Sequence, residues 1–197
     1  GMIAADIPTI VYGLRGLAFF ELKVTGPSHD LHSGTFGGVV HNPAVAMCEL
    51  IAGMHDAGGS ITLPAFYDAV RPISAAEHAE LGKLPMGDAY FLAQTGAALL
   101  WGEKEYLPVE RVGARPTLEV NGMISGYTGA GTKTVLPAHA SAKISCRLVA
   151  DQKPEQIHQS MRAYLQANAP DTVSWELTFL GGSQACATDP FNPYARS

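Results

Sequence analysis

An α+β fold follows from three observations. Four stretches alternate apolar and polar residues with period two, two others carry helix-period apolar faces behind proline caps, and their order is βαββαβ. Each element has its own local reason.

Phe20, Leu22 and Val24 alternate with Phe19, Glu21 and Lys23, so residues 17–24 form a strand with one buried face. After a Gly- and Ser-rich loop, Asn42-Pro43 supplies an N-cap and a first-turn proline. Val45, Cys48, Ile51 and Met54 then recur at threes, which predicts a helix reaching toward Gly58-Gly59. Residues 60–115 have a different texture and are expected to be a helical insertion. Pro64 and Pro72 punctuate it, Ser74-Ala75-Ala76-Glu77 is a capping box opening a short helix, and a second helix is expected over 87–101.

Strand character returns in Leu118-Glu119-Val120, ahead of a glycine-rich stretch. Ala140, Ala142, Ile144, Cys146 and Leu148 alternate with Ser141, Lys143, Ser145 and Arg147 as a long half-buried strand. Asp151 and Pro154 start a helix with Ile157, Met161, Tyr164 and Leu165 on one face. Val173, Trp175, Leu177 and Phe179 mark the last strand. Without the insertion this is the ferredoxin-like arrangement, a four-stranded antiparallel sheet with two helices on one face. Lys143, Ser145 and Arg147 are then expected on the open face, available to whatever docks there.

The 197 residues, 47% hydrophobic, suffice for a single domain with a real core. With 13 Lys+Arg against 18 Asp+Glu and a net charge of −5, the chain lacks the clustered positive charge that phosphates require, so nucleic acid is not an expected partner. No apolar run is long enough to span a membrane, and no export signal is legible. Cys48, Cys146 and Cys186 form no C-x-x-C pair, which favours a reducing, cytoplasmic setting over a disulfide framework.

The stretch 126–134 places a Lys-Thr pair after spaced glycines, but its spacing is one residue too long for a phosphate loop and it leads into a strand. Its glycines read as tight-turn positions, with Lys133 and Thr134 at a loop tip. The seven histidines are scattered without metal-ligand spacing, and for six of them a solvated surface position is the plainer reading. His32 differs because Asp30-Leu31-His32-Ser33-Gly34 lies in a loop between a strand and a capped helix, where functional residues concentrate. Arg147 is either an unpaired surface arginine or a bidentate grip on a carboxylate. No nucleophile triad is legible.

Four stretches carry a resemblance: residues 8–17 with Tyr12-Gly13-Leu14-Arg15-Gly16, Asp30-Leu31-His32-Ser33-Gly34 with Phe36-Gly37-Gly38, residues 126–137, and Ser145-Cys146-Arg147-Leu148-Val149. Through them the chain resembles the lid, or dimerisation, domain of the dizinc metallopeptidase family of carnosine and cytosolic dipeptidases, aminoacylase and acetylornithine deacetylases. The resemblance implies that 1–197 is a single lid domain whose ends were cut from a larger, zinc-dependent hydrolase working as a homodimer on peptide or N-acyl amino acid substrates. It implies that His32 reaches into the partner subunit's site to stabilise an oxyanion, that Thr134 contacts substrate across the dimer, and that Arg147 holds the substrate's terminal carboxylate. The family's H-x-D zinc-ligand pair and Glu-Glu base pair are absent here. Two zinc ions are therefore expected in the missing catalytic domain and none in this chain, which alone should be inactive. The competing expectation is a freestanding ferredoxin-like binding or regulatory module.

Overall fold

In a computed structural model of the chain, which describes residues 2–4 and 7–191, the organising element is a four-stranded antiparallel sheet. The elements run β1 (Met2–Ala4), β2 (Ile7–Pro8), β3 (Gly13–Leu14), β4 (Gly16–Thr25), β5 (Leu31–His32), α1 (Ser33–Phe36), α2 (Pro43–Ala52), α3 (Ala75–Leu81), α4 (Asp88–Thr95), α5 (Pro108–Gly113), β6 (Thr117–Ser125), β7 (Val135–Leu136), β8 (His139–Leu148), α6 (Pro154–Asn168), β9 (Ser174–Ser183) and β10 (Cys186–Ala187). The sheet order β6-β8-β4-β9, with α2 and α6 on one face, is the expected ferredoxin-like topology.

The alternation read in the sequence puts Ala18, Phe20, Leu22 and Val24 of β4 and Ala140, Ala142, Ile144 and Cys146 of β8 under the helices, all at 1% exposure or less. Met47 and Leu50 of α2 and Met161 and Leu165 of α6 close the core from above. The two helices are tied by the Tyr164 hydroxyl, which donates to the Leu50 carbonyl at 2.8 Å. A side chain at Gly53 would meet that hydroxyl at 2.4 Å, so the position has room only for glycine.

Several local expectations change. α2 ends at Ala52, short of Gly58-Gly59, because the chain folds back: Thr62 bonds Gly53 and Met54 through its hydroxyl and its amide, and His55 bridges Ile61. Its buried face is Ala46, Met47 and Leu50; Val45 and Cys48 are exposed, since steps of three drift around a helix of 3.6 residues per turn. The helix expected over 87–101 spans only Asp88–Thr95, stopped by Gly96 at φ 68°. α5 was not anticipated, although Pro108 at its first position and the Glu110 carboxylate accepting the Leu107 N–H at 2.7 Å are its start signal. Ser145 is 7% exposed and unavailable to a docking partner, being enclosed between its register neighbours Phe19 and Glu119.

The insertion packs at one end of the sheet. Arg115 forks onto Glu103 at 2.7 Å twice, between the rings of Tyr67 and Tyr106. Gln152 accepts the Val149 N–H at 2.9 Å and donates to the Phe66 carbonyl at 2.8 Å, joining the insertion to the end of β8. Two of the histidines expected at the surface also make specific contacts, His78 while remaining exposed and His158 while half-buried. His78 bonds the fully buried Glu110 at 2.6 Å, and His158 stacks on Phe179 with ring centroids 5.3 Å apart. No helix among the described residues is long and apolar enough to cross a membrane.

Candidate functional site

Two polar regions stand at opposite ends of the sheet. The first is built by stitching the loop after β4 to the segment before β8. Asp30 Oδ1 accepts the Ala138 N–H at 2.8 Å, and the Gly26 N–H donates to the Ala138 carbonyl at 2.9 Å. β5 and β7 pair, with His32 opposite Val135, and the Ser33 N–H reaches the Thr134 carbonyl at 2.9 Å. These bonds bring His32 and Thr134 together, Nε2 to Oγ1 at 3.0 Å.

The imidazole is fixed from both sides. His32 caps α1 in an extended conformation, and its Nδ1 accepts the Gly34 N–H at 3.1 Å. A side chain at Gly34 would lie 2.8 Å from His32 Cε1, so the glycine lets the imidazole keep this place. Because Nδ1 is an acceptor, the neutral ring carries its proton on Nε2 and donates it to Thr134 Oγ1. The Thr134 hydroxyl hydrogen then points elsewhere. Both side chains are exposed, so this end presents one free donor, the Thr134 hydroxyl, beside an imidazole N–H that is held by Thr134.

The second region is cationic. Arg147 lies exposed on the open face of β8, opposite Leu17 on one side and Thr117 on the other, and makes no side-chain hydrogen bond or ion pair to any described residue. Lys143, four residues back on the same face, pairs with Glu21 across the strands. Eight residues of continuous strand separate His139, beside the first region, from Arg147. At about 3.3 Å per residue the two regions of one chain lie about 25 Å apart. His32 and Thr134 are thus brought together, while Arg147 is held far from both.

Asp30 and Arg15 were not singled out from the sequence. Asp30 acts through a bond to a residue 108 positions away, which no local pattern signals. Arg15 has no periodicity around it; only its place in the resemblance-bearing stretch marked it. Among the described residues no group of three or more His, Cys, Asp or Glu is placed to hold a metal ion. His32 fits poorly as a ligand, with Nδ1 committed to Gly34 and Nε2 facing a hydroxyl. Burial pushes the Cys146 thiol up to about 12, which keeps it protonated and inert. The 126–134 loop runs on into β7, and Tyr127 closes over it, donating to the Ala130 carbonyl at 2.7 Å with Lys133 Nζ 4.6 Å from its ring. That arrangement leaves no helix N-terminus for phosphates.

A family profile described as the M20 peptidase dimerisation domain matches residues 12–173. The Cys-Gly metallodipeptidase DUG1 of Saccharomyces cerevisiae is 31% identical over 191 residues, covering 94% of this chain and 39% of that protein. The Beta-Ala-His dipeptidase of Mus musculus is 30% identical over 161 residues, covering 81% of this chain and 32% of its own length. Among solved structures, the M20 metallo-carboxypeptidase Sso-CP2 of Sulfolobus solfataricus superposes with a TM-score of 0.81 at 28% identity, covering 96% of this chain and 48% of that one. The di-peptidase Dug1p of Saccharomyces cerevisiae gives 0.74 at 27% identity, with 96% and 40% covered. The chain therefore spans less than half the length of these relatives. On the profile match and these likenesses, this chain belongs to the peptidase dimerisation domain family of the M20 peptidases.

Proposed function

We propose that this chain is the lid of a metal-dependent dipeptidase whose active sites are completed between two copies. His32 and Thr134 would act in one site and Arg147 in the other. The observation that carries this reading is the separation of about 25 Å between the two regions along β8, far more than a dipeptide spans. In a twofold dimer, residues at opposite ends of one lid can converge pairwise on two equivalent sites.

The roles follow from the side chains. His32 would turn its Nε2 proton from Thr134 Oγ1 to a carbonyl oxygen as that oxygen gains negative charge, and the Thr134 hydroxyl would add a second donor beside it. Arg147 offers a rigid fork to a terminal carboxylate. The two zinc ions that this reading expects would be held by residues outside this chain and would supply Lewis-acid chemistry there. The sheet also offers a surface for a second copy. β6 is an edge strand, with Met123 and Ile124 48% and 63% exposed and Tyr127 just beyond it at 40%. Peptide or N-acyl amino acid substrates, the homodimer and a cytoplasmic setting all belong to this proposal.

The test is the His32→Ala variant of the full-length protein. Its kcat on a dipeptide should fall about 10²–10³-fold, the loss typical of one oxyanion donor. An unchanged kcat in a correctly folded variant removes His32 from the chemistry.

A further inference from the structure

The described arginines divide sharply. Arg71 forks onto Asp151 at 2.5 and 2.8 Å, and Arg115 onto Glu103 at 2.7 Å twice. Arg111 donates to the Tyr106 and Trp101 carbonyls, and Arg162 lies 5.5 Å from the centre of the Trp175 ring. Arg15 and Arg147 have no such partner. The Arg15 Nη1 is out of solvent and without an acceptor among the described residues, an arrangement that is costly unless something else completes it.

The strand register explains why these two belong together. Gly16 pairs with Leu148 and Leu17 with Arg147, so Arg15, one residue before the strand, sits beside the end of β8 that carries Arg147, near enough for the two charges to interact. Burial first, and then the charge of Arg147, hold the Arg15 guanidinium below its ordinary basicity. Two like charges close together without a counter-charge repel, and an anion placed between them removes the repulsion. Arg15 also lines a cavity of about 540 Å³ beside the sheet end. The carboxylates on that cavity are bonded elsewhere and make no hydrogen bond or ion pair to Arg15: Glu77 accepts the Tyr12 hydroxyl at 2.6 Å, and Asp189 accepts the Phe191 N–H at 2.9 Å.

We propose that Arg15 is a second cation of the carboxylate subsite, so that the terminal carboxylate of a small peptide or N-acyl amino acid is taken between the guanidinium groups of Arg15 and Arg147. This rests on Arg147 being the carboxylate-holding residue of the lid. One carboxylate has enough lone pairs to accept from both forks.

The experiment compares kcat and KM of the full-length enzyme for a dipeptide and for the same dipeptide as its C-terminal amide, in Arg15→Met, Arg15→Lys, Arg147→Met and the Arg15→Met/Arg147→Met double variant. Each single methionine variant should raise KM for the acid about tenfold or more, as expected for a charge-assisted hydrogen bond, and leave the amide within about twofold. Arg15→Lys should recover part of the loss, and the double variant should lose less than the product of the singles. Melting curves identify any variant that fails to fold, in which case the acid-to-amide ratio of Arg15→Lys decides. If Arg147→Met discriminates acid from amide and Arg15→Met does not, Arg15 has no part in the subsite. Equal losses on acid and amide in Arg15→Met place its partner carboxylate within the protein and overturn the proposal. If neither methionine variant discriminates, the role given to Arg147 falls with it.

Discussion

The two ends of the sheet solve opposite problems. At the His32 end the groups that fix the geometry are partnered within the chain: Asp30 holds Ala138, Gly34 holds His32 Nδ1, and Thr134 holds Nε2. At the Arg147 end the neighbouring cation, Lys143, is neutralised by Glu21, yet Arg15 and Arg147 are left without a counter-charge among the described residues. The first end is a preorganised donor set and needs nothing to hold its shape. The second lacks an anion and is shaped for one that comes from elsewhere.

That contrast predicts different kinetic signatures. Removing the cation at the incomplete end with Arg147→Met should raise KM about 10–100-fold with a smaller change in kcat, since the lost interaction is a charge-assisted bond to substrate. An equal fall in kcat with KM unchanged would move Arg147 out of ground-state binding. Loosening the satisfied end is gentler. Asp30→Ala frees the Ala138 N–H and should lower stability by about 1 kcal/mol while kcat falls a few-fold, because His32 and Thr134 lose their anchor. A kcat unchanged alongside lowered stability would show that the loop keeps its geometry without Asp30.

The smallest effect lies between the two ends, under α6. Burial, reinforced by the charge of Arg162, lowers the basicity of His158, and its Nε2 is buried without a partner. The unfolded chain therefore takes up the proton more readily, and stability is lost as pH falls below the ordinary histidine value of about 6.5. His158→Gln should shrink the drop in urea midpoint between pH 7.5 and 5.5. An identical drop in both proteins would assign the acid sensitivity to other groups.

How much of this was legible follows from what a linear pattern can carry. β4, β8 and α6 were readable because each is long enough for its period to show, and the buried faces of all three were as expected. β5 and β7 have two residues each, too few for any period, and they exist because Asp30 and Gly26 fasten their loop to Ala138. His32 and Thr134 stood out as separate residues from a resemblance, but their contact spans 102 positions and belongs to the fold. The placement of Ser145 failed for a related reason: alternation assigns a face, while the covering of that face depends on Phe19 and Glu119 in neighbouring strands. Arg15 illustrates the limit most plainly, since its significance is the absence of a partner.

The central claim is that His32 and Arg147 of one chain serve different active sites. It is tested most directly by mixing two impaired variants of the full-length protein, His32→Ala and Arg147→Ala, after dissociation and reassociation, with activity read at substrate well below the wild-type KM. With random pairing, about half the dimers carry one of each chain, and each has one of its two sites intact, so activity should recover to about a quarter of wild type. If the mixture is no more active than the separate variants while mixed dimers are shown to form, both residues act in the same site of one chain, which contradicts the division between two sites.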